Sequence, residues 1–149
     1  MKNLILLSLC CHIGLITHAQ HLENSGLQKT YVNPASGYTQ VVTVTAGTMK
    51  TLYISGQTGE GEDLESQVRS AFRNLEKQLQ DAGATLEDLV KITTFFVDYQ
   101  PAHLAAFRKV REEFLGNRNM PASTLVGVQS LALEKFWVEI EAVAVIEIK

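Results

Sequence analysis

Two hydrophobic periods alternate along this chain, one of two residues and one of three to four. Tyr31-Val32-Asn33 is a short strand-forming run that stops at Pro34, and Ala35-Ser36-Gly37 is a turn cluster. Tyr38 to Ala46, rich in Tyr, Val and Thr, predicts a strand. Gly47-Thr48 breaks it, and Met49 to Ser55 predicts its hairpin partner, ending at Gly56. Beyond the loop from Gly59 to Glu62 the period changes. Leu64, Val68, Ala71, Phe72, Leu75 and Leu79 recur at helical spacing, and Gly83 supplies a helix stop. Thr85 and Asp88 have capping-box spacing for one short turn. Val90 to Asp98 predicts a strand with Val90, Ile92, Thr94 and Phe96 on one face and Lys91, Thr93, Phe95 and Val97 on the other. Pro101 opens a second helix, whose buried stripe is Leu104, Phe107, Val110 and Phe114. A loop from Gly116 to Met120 carries Arg118. Pro121 then leads into a strand through Val128, and Phe136 to Ile148 forms a long closing strand.

The predicted order is β-β-β-α-β-α-β-β, an α+β domain with one sheet and two helices on one face. Two helices cover only one side of six strands. The other side carries Trp137, Val143, Val145, Phe95 and Val97. A sheet face this apolar is expected to be buried, and an oligomer is the economical way to do so. A ligand site would then lie in a cleft between subunits.

Composition adds a compartment. Residues 1–19 have the build of a signal peptide: Lys2, an apolar run opening at Leu4 to Leu9, and Thr17-His18-Ala19 before a cut at Gln20. His12 and Gly14 interrupt the run, which falls short of the ~20 apolar residues of a membrane span. The expected location is therefore periplasmic or secreted, with no membrane attachment after cleavage. Residues 20–28 read as a flexible lead-in and 29–149 as the single domain. Both cysteines, Cys10 and Cys11, fall in the leader, so the mature chain has no thiol for a disulfide, a nucleophile or a metal. The whole 149-residue chain carries 13 Lys+Arg against 16 Asp+Glu. That balance gives no electrostatic basis for nucleic-acid binding.

Candidate chemistry is sparse. GxGxxG, P-loop, HExxH and GxSxG patterns are absent. His21 and His103 are the only histidines past the leader, too few to build a metal site, so no metal or cofactor is expected. Glu139 and Glu141 stand two apart on one strand face. They read either as a solvated strip or as a carboxylate that orients water or binds an amine. Ser123 and Thr124 open a strand after Pro121, and Ser55-Gly56-Gln57 either lets a ligand approach the backbone or makes a plain turn.

Tyr38 after a turn, Tyr53-Ile54-Ser55-Gly56-Gln57, Val90-Lys91-Ile92-Thr93, Pro121-Ala122-Ser123-Thr124 and Val138-Glu139-Ile140-Glu141-Ala142 occur in the order seen in RidA/YjgF/UK114-type proteins, which the chain resembles over nearly its whole mature length. The resemblance implies a chorismate-mutase-like fold with a six-stranded mixed sheet and a homotrimer with clefts between subunits. It also implies cofactor-free hydrolysis of reactive enamines and imines to 2-keto acids and ammonia, with a small carboxylic or amino/keto acid as ligand. By resemblance Glu139 positions the water, the Leu125 carbonyl is its second acceptor, and Tyr38 and Gly56 line the pocket; the Ser123 and Thr124 hydroxyls are further binding candidates that otherwise satisfy edge groups. The family's carboxylate-gripping arginine follows the Pro-Ala pair, where this chain has Ser123. A serine cannot replace a bidentate cation. Arg118, from the loop before Pro121, and Lys135 are the candidates to supply the charge. Without that arginine, the alternative is a trimer that binds a small ligand without turnover, or a holdase-like protein.

Overall fold

A computed structural model describes residues 26–116 and 119–148. The segment expected to be a signal peptide, most of the expected lead-in and Arg118 lie outside the described residues. In chain order the elements are β1 (Gln28–Ala35), β2 (Tyr38–Ala46), β3 (Met49–Thr58), α1 (Leu64–Asp81), a single 3₁₀ turn (Leu86–Asp88), β4 (Leu89–Val97), α2 (Pro101–Leu115), β5 (Ala122–Val128) and β6 (Val138–Glu147). The strands form one six-stranded sheet in the order β1-β2-β3-β6-β4-β5. Only β4 and β5 run parallel, and α2 makes the crossover between them. This is the mixed α+β sheet that the pattern predicts.

The helices form where local chemistry starts and stops them. Asp63 caps α1, its carboxylate accepting the Ser66 N–H at 2.7 Å, while the Ser66 hydroxyl accepts the Asp63 N–H at 3.2 Å. These bonds hold the Asp63 carboxyl below the usual carboxylate range. The chain leaves α1 through Gly83, at φ +82°. Val68, Ala71, Phe72, Leu75 and Leu79 are fully buried against the sheet with Val41, Leu52, Ile92, Ile140 and Ala144. Phe72 stacks on Phe114 and Phe107, with ring centroids 5.1 and 6.0 Å apart, and Phe107 meets Phe96 of β4 edge-on at 5.8 Å. These rings tie both helices to one face. At the start of α2, His103 Nδ1 accepts the Gln100 N–H.

Four expectations need correction. The first strand does not stop at Pro34. It runs from Gln28, the last lead-in residue, to Ala35, because Asn33 takes a left-handed φ of 54° and Pro34 sits on an edge strand, where no donor is missed. The third strand continues past Gly56 to Thr58 through a bulge. A second register shift, between Leu89 and Lys91, sends Leu89 into the core and leaves Val90 46% exposed, off the Ile92 face. In α2 it is Leu115 that joins Phe107 and Val110 in full burial, while Leu104 and Phe114 remain partly exposed at the rim.

The second face of the sheet has no helix on it. A cross-strand row of Tyr31, Val42, Tyr53, Val143 and Lys91 crosses it, and Tyr31 and Tyr53 are more than half exposed. Val97 ends β4 in alternation with Lys91, Thr93 and Phe95, and with Trp137 it borders a depression that Leu64 and His103 also line.

Candidate functional site

The bulge in β3 makes the site. Ile54 pairs with Ala142 and Gln57 with Ile140, so Ser55 and Gly56 together oppose Glu141 alone. On the next register, Glu139 of β6 lies between Thr58 of β3 and Phe95 of β4. Gly56 passes so close to Glu139 that its missing side chain is occupied by the carboxylate. Tyr38, Ser55, Gly56, Thr58 and Glu139, with Ala132 and Phe136 from the β5–β6 connection, enclose a depression of about 340 Å³.

A chain of hydrogen bonds holds this rim. The Ser55 hydroxyl donates to the Thr39 carbonyl at 2.7 Å. Gln57 Nε2 donates to the Ser55 carbonyl and to Gln40 Oε1, both at 2.8 Å. Gln40 Nε2 then donates to the Tyr38 hydroxyl at 3.1 Å. The opposite wall is fixed by Gln67 of α1, which is 2% exposed. Its Nε2 donates to the carbonyls of Lys135 and Gly61, and its Oε1 accepts the Trp137 N–H. Phe136 is thus held between two backbone groups bound to a buried amide.

Glu139 is the charged centre of the depression. Among the described residues nothing donates a hydrogen bond to its carboxylate. Burial, and then the Glu141 charge beside it, push its carboxyl above the usual range. A carboxylate in that state is a good proton acceptor for a bound water. Lys135 does not itself line the depression: its ammonium pairs with Glu60, whose carboxyl is thereby lowered, and lies 5.1 Å from the centre of the Phe136 ring. Glu141 belongs to an adjoining depression of about 290 Å³, with Tyr53, Ser55, Lys91 and Thr93.

The β5 candidates stand elsewhere. Ser123, Thr124 and Leu125 pair with Ile92, Thr93 and Thr94 of β4 on the sheet edge. Ser123 shares the register of buried Ile92, so its side chain projects from the helix-covered side at the exposed edge. Thr124 shares the row of Thr93 and Glu141. Strand β4 separates β5 from β6, which puts Leu125 about 10 Å from Glu139, two spacings of about 4.8 Å. The two groups cannot share one water within a single chain, as the expected roles require. The structure therefore unites Tyr38, Gly56 and Glu139 and leaves Ser123, Thr124 and Leu125 apart.

Sequence reasoning misses Gln40, Gln57 and Gln67. Each is an ordinary polar residue in its local pattern. Only the bulge and the long-range contact to residues 135–137 give them a role.

The family described as Endoribonuclease L-PSP matches residues 28–146. The RutC family protein YjgH of Escherichia coli is 36% identical over 97 residues, covering 61% of this chain and 73% of that protein. A protein of Dermatophagoides farinae named 2-iminobutanoate/2-iminopropanoate deaminase is 30% identical over 122 residues, covering 76% of this chain and 89% of that one. The crystal structure of a YjgF/YER057c/UK114 family member from Mycobacterium tuberculosis superposes with a TM-score of 0.68 at 30% identity, over 80% of this chain and 100% of the other. The bulged β3, the Gly56–Glu139 contact and the six-stranded sheet are therefore those of a chain that belongs to the Endoribonuclease L-PSP family, the RidA/YjgF proteins.

Proposed function

We propose that this protein hydrolyses the C=N bond of a small imine or enamine tautomer at Glu139. The observation that carries the reading is the Glu139 carboxylate itself: half-buried, with no donor among the described residues, and laid over a glycine in a small depression. Water held by Glu139 adds through oxygen to the imine carbon as the carboxylate takes its proton. The carboxylate passes that proton to nitrogen to give a carbinolamine, whose hydroxyl proton then moves to nitrogen as the C–N bond breaks, so that nitrogen leaves as ammonia. The carbonyl product keeps the water oxygen. Tyr38, aligned by Gln40, is placed to hold the substrate.

The same reading makes the protein a homotrimer with its sites between subunits. Two features support it. The helix-free sheet face carries exposed Tyr31 and Tyr53. Glu139 and the β5 groups are separated by a strand within one chain, and a head-to-tail ring contact would bring β5 of one copy to Glu139 of the next. An apolar leader before Gln20 supports a periplasmic or secreted location for this trimer.

Ser123 in place of a cation favours a second reading, in which the cleft binds a small molecule without turnover. Release of ammonia from imines with and without a carboxylate, generated by an amino-acid oxidase and by a flavin amine oxidase, separates the two. Turnover that is lost in Glu139→Gln with assembly unchanged supports hydrolysis. Saturable binding with no ammonia release in the wild type would leave the binding reading standing.

A further inference from the structure

The depression at Glu139 carries one sign of charge. Its lining contains one carboxylate and one phenol, with no lysine, arginine or histidine among the described residues. The nearby cations are committed elsewhere. Lys135 is paired with Glu60, Lys91 lines the adjoining depression beside Glu141, and His103 lies in a third with Asp98 and Glu134. The β5 segment from Ala122 to Leu125, which the trimeric reading brings in, adds only two hydroxyls. An anionic ligand would therefore place a second negative charge beside Glu139 with no cation among the described lining residues to balance it. That carboxylate is already disfavoured by burial and by Glu141. A ligand that brings a positive charge or an N–H to Glu139 supplies what the site lacks. The other walls, Phe136, Ala132 and the Tyr38 ring, suit a compact apolar body. A volume of about 340 Å³ is at the small end of ligand sites.

We infer that the site selects small imines and iminium ions that carry no carboxylate, with the nitrogen turned to Glu139 and the hydrocarbon part between Phe136 and Tyr38. This rests on the C=N hydrolysis proposed above and narrows its substrate class, away from the small carboxylic acid that the resemblance implies. The reaction balances without a cofactor. Water adds its oxygen to the C=N carbon, and the C–N electron pair passes to nitrogen. Nitrogen takes the proton that Glu139 removed from water, the hydroxyl proton of the resulting carbinolamine follows as the remaining C–N bond breaks, and the products are a carbonyl and an amine or ammonia.

Two five-membered cyclic imines provide the test: 2-methyl-1-pyrroline and 1-pyrroline-2-carboxylate, which carry a methyl and a carboxylate on the same C=N carbon. Their affinities for the full protein are measured by calorimetry at neutral pH. The methyl compound is expected to bind at least tenfold more tightly, and the preference is expected to shrink in Glu139→Gln, which removes the charge but keeps the shape. Equal or tighter binding of the carboxylate compound would overturn the inference and leave C=N hydrolysis standing. Failure of both to bind at millimolar concentration would remove the inference together with the function on which it rests.

Discussion

Gly56 on β3 lies under the carboxylate of Glu139 on β6, so that a Cβ added at Gly56 would stand 1.6 Å from Oε1 and 2.4 Å from Cδ. All three of the nearest atoms belong to the Glu139 side chain, which is flexible at its end. Gly56→Ala therefore moves the carboxylate and spares the backbone. Overpacking of this kind costs about 1–3 kcal/mol, and the variant stays folded. Misplacing a reacting group by an ångström costs on the order of 10²-fold in rate. The expected result is a loss of that size in kcat with a modest fall in Tm. Wild-type kcat in a folded Gly56→Ala protein would show that the carboxylate does not act from this position.

Glu139 also makes stability depend on pH. Burial and the Glu141 charge raise its carboxyl above the model-compound value, so the folded state holds a proton that the unfolded chain, near pKa 4.3, gives up more readily. Below that value both states are protonated and no penalty applies. As pH rises through the folded-state value the charge becomes uncompensated, and stability falls. Glu139→Gln is therefore expected to raise Tm at neutral pH, with the gain disappearing as pH falls below about 4. Melting curves of both proteins across that range check this. A gain that persists at low pH would assign the effect to packing instead of charge.

The sheet order follows from patterns that act over a few residues. Val41 and Thr43 alternate with Gln40 and Val42, and β2 forms with the predicted bounds. Six apolar positions at helical spacing give α1 one buried face. The bulges are different. Ser55-Gly56 and Leu89-Val90 look like continuous strand, and their extra residue shows only when β6 is laid alongside. Thus Val90 is assigned to the wrong face, while at Gly56, where a ligand or a plain turn is expected, the close neighbour is the Glu139 side chain. The separation of Leu125 from Glu139 is also invisible in the sequence. It depends on β6 inserting between β3 and β4, a long-range choice that local spacing does not encode.

Gln67 connects a helix to the wall of the site. Removing its side chain in Gln67→Ala leaves the Trp137 N–H and the Lys135 carbonyl without their partner. Each buried group left unsatisfied costs about 1–3 kcal/mol. A loss of about 2–4 kcal/mol in urea unfolding is expected. Because Phe136 and Ala132 belong to the same connection, KM should rise more than kcat falls. Gln67→Glu keeps the acceptor for Trp137 but turns a buried carboxylate oxygen on the Lys135 and Gly61 carbonyls, and should be no more stable than Gln67→Ala at neutral pH. Equal stability of Gln67→Ala and wild type would mean that residues 132–137 are held by other contacts.

The open sheet face offers a direct test of assembly. Tyr53 is 52% exposed in the single chain and lies in one row with Tyr31, Val42 and Val143. A charge placed there costs the isolated fold little, since exposed substitutions usually change stability by no more than about 0.5 kcal/mol. Buried between copies, the same charge would be uncompensated and would prevent association. Tyr53→Asp is therefore expected to sediment as a single chain at low micromolar concentration, with the circular dichroism of the wild type, while the wild type sediments at three times the chain mass. Activity should fall with assembly even though Glu139, Gly56 and Tyr38 are untouched, because β5 of a neighbour would no longer reach them. A wild-type protein that sediments as one chain and still releases ammonia would show that one copy forms a complete site, with Ser123, Thr124 and Leu125 outside it.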